Sequence, residues 1–240
     1  MTSNIEAWDR ISARSPLPAP ETLTAIRFGH DVTDADLRIL GDTLGKRVLV
    51  LGSEAAAVVL AKRGATVIAV QPSAGRIAHG RRLAEREEVR LEWHRSDLAD
   101  LAFLRADSID LVFSTSVLDE VEDITRVLRQ VHRVLRPGAA FVFAYEHPMS
   151  WATRATADGT SDVAQPGGGE APMVRRPYGD DSPVTIEVDG EQLTVWPRTI
   201  SRVFTELGRA SFRVDVLAEP ASPGSPVARL VVWRARKEGV

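Results

Sequence analysis

The stretch Arg47–Val70, RVLVLGSEAAAVVLAKRGATVIAV, decides the fold. Two short β-branched runs, Arg47–Leu51 and Thr66–Val70, are of strand length, and the alanine-rich segment between them, Ala55–Arg63, is of helix length. Gly52 follows the first run, and Gly64 closes the helical segment, where a left-handed residue commonly ends a helix. Two strands joined through a helix run parallel, because the crossover returns the chain to the same end of the sheet. The pattern then repeats. Strands are predicted at Val89–His94, Ile109–Ser114 and Ala140–Tyr145, and helices at Ala74–Arg86 and Ile124–Leu135. Arg136-Pro137-Gly138 stops the last helix, since proline cannot continue it. The expectation is an α/β fold with a doubly wound, mostly parallel sheet.

The flanks are of different character. Residues 1–45 predict a cap: a short helix over Trp8–Ala13, a break at Pro16, Pro18 and Pro20, and a second helix over Asp34–Leu44. Residues 46–147 form the core. Residues 148–183 are rich in Gly, Pro, Asp and Thr, include Gln165–Gly169 (QPGGG), and read as a substrate-side loop, because long irregular stretches in compact domains are usually functional. In residues 184–240 the runs Thr185–Val188 and Gln192–Trp196 flank Asp189-Gly190, a hairpin dipeptide; a helix over Thr199–Leu207 and strands at Arg213–Leu217 and Ala228–Arg234 follow. One domain of 240 residues is expected. Its net charge of −3 disfavours electrostatic capture of nucleic acid or membrane, and no apolar run approaches the roughly 20 residues of a membrane span. With no cysteine there is no disulfide and no thiolate nucleophile or ligand. A soluble, cytoplasmic protein acting on a small molecule is expected; oligomeric state is left open.

Ligands of such sheets bind outside the carboxyl ends of the strands. The residues placed there are Gly52, Ser53 and Glu54, then Gln71 and Pro72, Asp97 and Leu98, Ser114 and Thr115, and Glu146 and His147. Gly52 lets a ligand approach the backbone, and the helix after it aims free N–H groups at an anion. His147 stands alone among the histidines at a strand's carboxyl end, where it would accept a substrate proton or orient a substrate. Trp8, Trp151 and Tyr178, from the cap and the long loop, would close over an apolar substrate. His30, His79, His94 and His132 lack metal-ligand spacing, so no metal site is expected.

Taken together, these segments resemble the class I S-adenosylmethionine-dependent methyltransferases, especially the small-molecule type common in actinobacteria. Leu49–Gly52 is similar to the strand and opening glycine of their first motif, Leu60–Ala65 to the end of the next helix, and Val70–Ser73 to their acidic loop. Ser96-Asp97 resembles the adenine-side motif and Asp107–Val112 the strand-four motif. Val131–Gly138 (VHRVLRPG) is the most recognisable piece, and Arg198–Phe212 resembles their late helix. The resemblance implies a Rossmann-like seven-stranded mixed sheet of order 3-2-1-4-5-7-6, S-adenosylmethionine as cofactor, and methyl transfer to a small molecule. It assigns Gly52, Ser53, Glu54, Gln71, Pro72, Asp97, Leu98, Ser114 and Thr115 to the cofactor. Trp8, His147, Trp151 and Tyr178 are left for the substrate, with His147 as the base.

The departures from the family are specific. Where the family places GxGxG, only Gly52 remains, and the loop is about two residues short. Glu54 would lie near the cofactor's own carboxylate, a like charge. Gln71 replaces the carboxylate that grips the ribose hydroxyls, losing charge-assisted bonds worth roughly 1 to 2 kcal/mol. Degenerate cofactor motifs of this kind raise an alternative, a methyltransferase-like protein without transfer activity that serves as a binding or partner subunit. A nicotinamide dehydrogenase fits less well, because GxGxxG is missing.

Overall fold

The computed structural model describes residues 3–29, 32–154 and 173–239; His30 and the Gln165–Gly169 stretch lie outside the described residues. Helix α1 (Asn4–Arg14) opens with a capping box, the Ser3 side chain and Glu6 satisfying each other's backbone amides. A 3-10 turn (Pro20–Thr24) and the single turn α2 (Asp34–Leu37) lead to β1 (Arg47–Leu51), α3 (Glu54–Lys62), β2 (Thr66–Val70), α4 (Ala74–Arg86), β3 (Glu92–His94) and β4 (Ile109–Thr115). A second 3-10 turn (Val117–Glu120), α5 (Ile124–Val134), β5 (Leu135–Glu146) and α6 (Pro148–Thr153) follow. The chain closes with the hairpin β6 (Val184–Val188) and β7 (Glu191–Val195), then α7 (Ile200–Arg209), β8 (Phe212–Ala218) and β9 (Leu230–Lys237).

The main sheet has seven strands in the order β3-β2-β1-β4-β5-β9-β8, with β6 and β7 forming a separate two-stranded sheet. Strands β1 to β5 pair in parallel, and β9 runs antiparallel to both β5 and β8. This is the expected order, with β8 as the sheet's sixth strand along the chain and β9 as its seventh, so that β9 lies between β5 and β8. Both faces of the sheet are covered, which is why β1 and β2 read as continuous apolar runs. On one face Leu49, Ile68, Val112, Phe141 and Trp233 meet α5 and α7 through Val127, Leu128, Val131, Val203 and Leu207. On the other, Val48, Val50, Phe113 and Val142 meet Val58 and Val59 of α3, Leu83 of α4, and Ile26 and Phe28 of the cap.

Four local expectations are corrected. The helix predicted over Asp34–Leu44 ends at Leu37: Arg38 turns left-handed (φ 55°), and the Asp34 side chain takes the amides of Ile39 and Leu40 at 3.1 and 3.0 Å, competing with the helical ladder. Strand β3 starts at Glu92 rather than Val89, after a turn in which Glu88 has φ 56°. The Arg136-Pro137-Gly138 stop lies within β5, where the pairing with β4 shifts register between Leu135 and Ala140 and Gly138 supplies φ 74°. The segment read as loop from Pro148 begins with a helix, α6, which has proline in its first turn and His147 as its cap.

Candidate functional site

The strand order reverses between β1 and β4, so a crevice opens above their carboxyl ends. Helix α1 spans this edge. Asp9 accepts the Ser73 hydroxyl at 2.6 Å and the Gly75 amide at 2.7 Å, which fastens α1 to the start of α4. Burial opposes charge on Asp9, yet those donors hold its carboxyl below the ordinary value. On the other side, the Asn4 amide exchanges bonds with the backbone of Thr194 in β7 at 2.7 and 2.8 Å, and Arg10 and Arg14 meet Glu191.

Beneath α1 the charged groups form a chain. Arg76, in the first turn of α4, donates to Glu54 at 2.5 and 2.9 Å and to the Gly52 carbonyl at 2.6 Å. Burial disfavours its charge, but Glu54 outweighs that and raises the guanidinium above its ordinary value. The Gln71 amide donates to the same two partners, at 3.4 Å to the Gly52 carbonyl and 3.3 Å to Glu54. Trp8 lies over the Arg76 guanidinium at 4.5 Å, and its indole N–H donates to Glu120 at 2.7 Å. Burial raises Glu120, against the pull of Arg76 and Trp8. Gly52 adopts φ 76°, and a Cβ there would meet Val117 at 2.6 Å, so the space beside it is filled by protein.

Three cavities surround this chain. The first, about 340 Å³, is lined by Gln71, Pro72, Arg76, Asp97, Leu98, Val117 and Val121, with Trp8 and Glu120 on one wall. The second, about 410 Å³, shares Trp8 and Glu120 and adds Asp119, Glu146, Trp151, Arg154 and the apolar side of the β6–β7 hairpin. The third, about 570 Å³, is lined by Ser53, Ala55, Thr115 and the 3-10 turn of the cap. Arg198 organises the wall between β4 and α5. Its buried guanidinium donates to the carbonyls of Leu118, Trp196, Val121 and Glu122. Burial lowers it to about 10 despite the attraction of Asp119.

The structure thus gathers Trp8, Gln71, Pro72, Asp97 and Leu98 around one cavity, puts Trp151 on the next, and puts Ser53 and Thr115 on the third. Ser114 is buried and donates to the Leu51 carbonyl at 3.1 Å; Thr115 donates to the Phe28 carbonyl at 2.8 Å. Tyr178 is 43% exposed and lines none of the three cavities. His147 is not in these walls either: Nδ1 accepts the Met149 amide at 3.0 Å, capping α6, and Nε2 meets Glu219 at 2.6 Å. Its two ring nitrogens are both engaged. The reading of residue types missed Arg76, Asp119, Glu120 and Arg198. The acidic pair Asp119-Glu120, placed just past the fourth strand, was the available signal for two of them. Among the described residues no cluster of three or more His, Cys, Asp or Glu could hold a metal ion, and no helix is long and apolar enough to cross a membrane.

A sheet of this order with one reversed strand, and a cavity over its switch point, define the class I methyltransferase fold. Residues 49–143 match the family model described as Methyltransferase domain, so this part of the chain is similar to methyltransferase domains. A relative in Methylocella silvestris, named ubiquinone biosynthesis O-methyltransferase, is 27% identical over 188 residues, covering 65% of this chain and 73% of its own. The fold is shared with an S-adenosylmethionine-dependent methyltransferase of Mesorhizobium loti (24% identity, 84% of this chain and 95% of that one, TM-score 0.66). A protein of Listeria monocytogenes described as a methyltransferase of the same kind shares it too (21% identity, 86% and 98%, TM-score 0.69).

Proposed function

We propose that the protein transfers a methyl group from S-adenosylmethionine to a small-molecule acceptor. The observation that carries this is the pair of adjoining cavities that share Trp8 and Glu120 as a common wall above β1 and β4. Methyl transfer needs two ligands brought together in line, with water excluded; the protein's main work is alignment.

The chemistry of the donor set in the first cavity fits the cofactor. Asp97 would accept from the adenine amino group, between the apolar surfaces of Pro72, Leu98 and Val121. The Gln71 amide oxygen would accept a ribose hydroxyl. Arg76 would face the amino-acid carboxylate, and Glu120 would favour a nearby positive charge. When bound, S-adenosylmethionine supplies a methyl group on a cationic sulfur. The relative named as an O-methyltransferase supports transfer chemistry in this line of proteins.

One observation favours the second reading, binding without transfer: Gln71 and Arg76 are both turned onto Gly52 and Glu54, within the protein. Calorimetric titration with S-adenosylmethionine and its demethylated product separates the possibilities. Saturable heat, followed by transfer of isotopically labelled methyl to a member of a small-molecule panel, is the expected result. No heat at millimolar ligand would sink the enzymatic reading.

A further inference from the structure

The second cavity holds groups that the cofactor does not use. Ile186, Val188, Leu193 and Val195 of the hairpin line it with apolar side chains, as does Trp151 of α6. Trp151 is 4% exposed, and its indole N–H has no hydrogen-bond partner among the described residues, an unmet donor in a buried wall. Asp119 also lines this cavity; it is 7% exposed, with Oδ2 accepting the Glu146 amide at 3.0 Å.

Resting on the methyltransferase reading, we propose that this cavity is the acceptor site, that it takes a neutral, apolar, ring-sized molecule bearing a hydroxyl group, and that Asp119 receives the hydroxyl proton. The proposal favours a neutral ligand because the charges around the cavity already have partners. Glu146 pairs with Arg154, which lies over Trp151 at 4.1 Å, and also faces Arg229, the other cation on this cavity's lining. Glu120 takes the Trp8 indole and faces Arg76, and Arg198 faces Asp119. An ammonium or carboxylate would add a charge without a partner in a poorly solvated space. The Trp151 N–H would meet a second oxygen of the ligand. In the transfer step the hydroxyl O–H bond breaks and its proton passes to Asp119. The oxygen's electron pair forms the O–CH₃ bond, and the broken C–S bond leaves its pair on sulfur, neutralising the sulfonium. The groups facing Asp119 are Glu120 on its own turn, Glu146 and Tyr145 from β5, and Arg198 ahead of α7. Burial, the largest influence, raises its carboxyl to about 8, so it is an ionised acceptor on the alkaline side of neutrality.

The test needs neither cofactor nor natural acceptor. Binding of p-cresol and of its methyl ether, 4-methylanisole, is measured by tryptophan fluorescence at pH 6.5 and pH 9. As Asp119 ionises, its bond to the phenol hydroxyl becomes charge-assisted, and p-cresol affinity should rise about fivefold, a gain of roughly 1 kcal/mol. The ether should show no rise. Asp119→Asn, which keeps an oxygen for the Glu146 amide, should abolish the pH dependence. Trp151→Phe should weaken 4-hydroxybenzyl alcohol, which carries a second oxygen, severalfold more than p-cresol at both pH values with the pH dependence intact, which keeps the test open if the Asp119 variant does not fold. Parallel pH curves for phenol and ether, a rise that survives Asp119→Asn, or no saturable binding overturns the proposal. A separate titration with the demethylated cofactor product tests the first cavity, so failure of the methyltransferase reading is seen independently.

Discussion

Substituting Gly52 by alanine separates two explanations of the glycine that follows β1. The residue holds φ 76°, and a Cβ built on it would lie 2.6 Å from both Cβ and Cγ1 of Val117 and 2.7 Å from Cγ2. The left-handed backbone costs an alanine about 1 to 2 kcal/mol, and forcing a methyl into a filled site costs about 1 to 3 kcal/mol more. Gly52→Ala should therefore destabilise by about 2 to 5 kcal/mol, read as a lower midpoint in urea at an unchanged slope. Val117→Gly alone should cost about 2 to 4 kcal/mol through lost burial and added chain freedom. It also removes all three atoms that meet the new methyl. The double variant should then fall short of the sum by about 1 to 3 kcal/mol, while the backbone part of the penalty remains. Additivity within about 0.5 kcal/mol would refute the packing explanation. A near-neutral Gly52→Ala that instead abolished binding of the demethylated cofactor product would show that the glycine serves a ligand's approach.

Three further outcomes follow. Asp119 is raised by burial from 3.8 to about 8, so between those values the folded state keeps a proton the unfolded chain has lost. Stability should fall as pH rises through that window, by a ceiling of about 6 kcal/mol from this group, and level off above it. Unfolding curves at pH 5, 7 and 9 should show Asp119→Asn gaining on the wild type as pH rises; parallel curves would contradict the assignment. Arg76→Ala should cost about 1 to 3 kcal/mol, since the pair with Glu54 is only 15% and 13% exposed, and adding Glu54→Gln should restore part of the loss in thermal melts. His147→Ala should cost about 1 kcal/mol through the lost cap of α6 and leave affinity for the demethylated product within about twofold by calorimetry.

Much of the fold was legible in Arg47–Val70 and its downstream repeats, because buried parallel strands and their crossover helices leave a length pattern that no distant contact can alter. Gln71, Pro72, Asp97 and Leu98 were legible for the same reason: each follows a strand. What pattern could not show was side-chain partnership. That Trp8 would meet Glu120, 112 residues away, depends on how α1 crosses the sheet edge. That Arg76 would take hold of Glu54 and the Gly52 carbonyl depends on the direction of one side chain in the first turn of α4. His147 stands where the strand pattern put it, at the end of β5, but capping α6 and meeting Glu219 occupies both its ring nitrogens. The helix itself was hidden in a stretch whose composition reads as loop.

The clamp made by α1 has a consequence for how the protein comes into being. Asn4 grips the backbone of Thr194, 190 residues further on, and Trp8 reaches Glu120. During synthesis α1 leaves the ribosome first, yet at about 5 to 20 residues per second its hairpin partner emerges only about 10 to 40 seconds later. The Rossmann core can gather on itself in the meantime, while the wall that the two cavities share stays unfinished. A nascent chain therefore has the five parallel strands of its sheet before it has separate chambers, and the order of assembly withholds the completed site until the hairpin and the residues that follow it have been made.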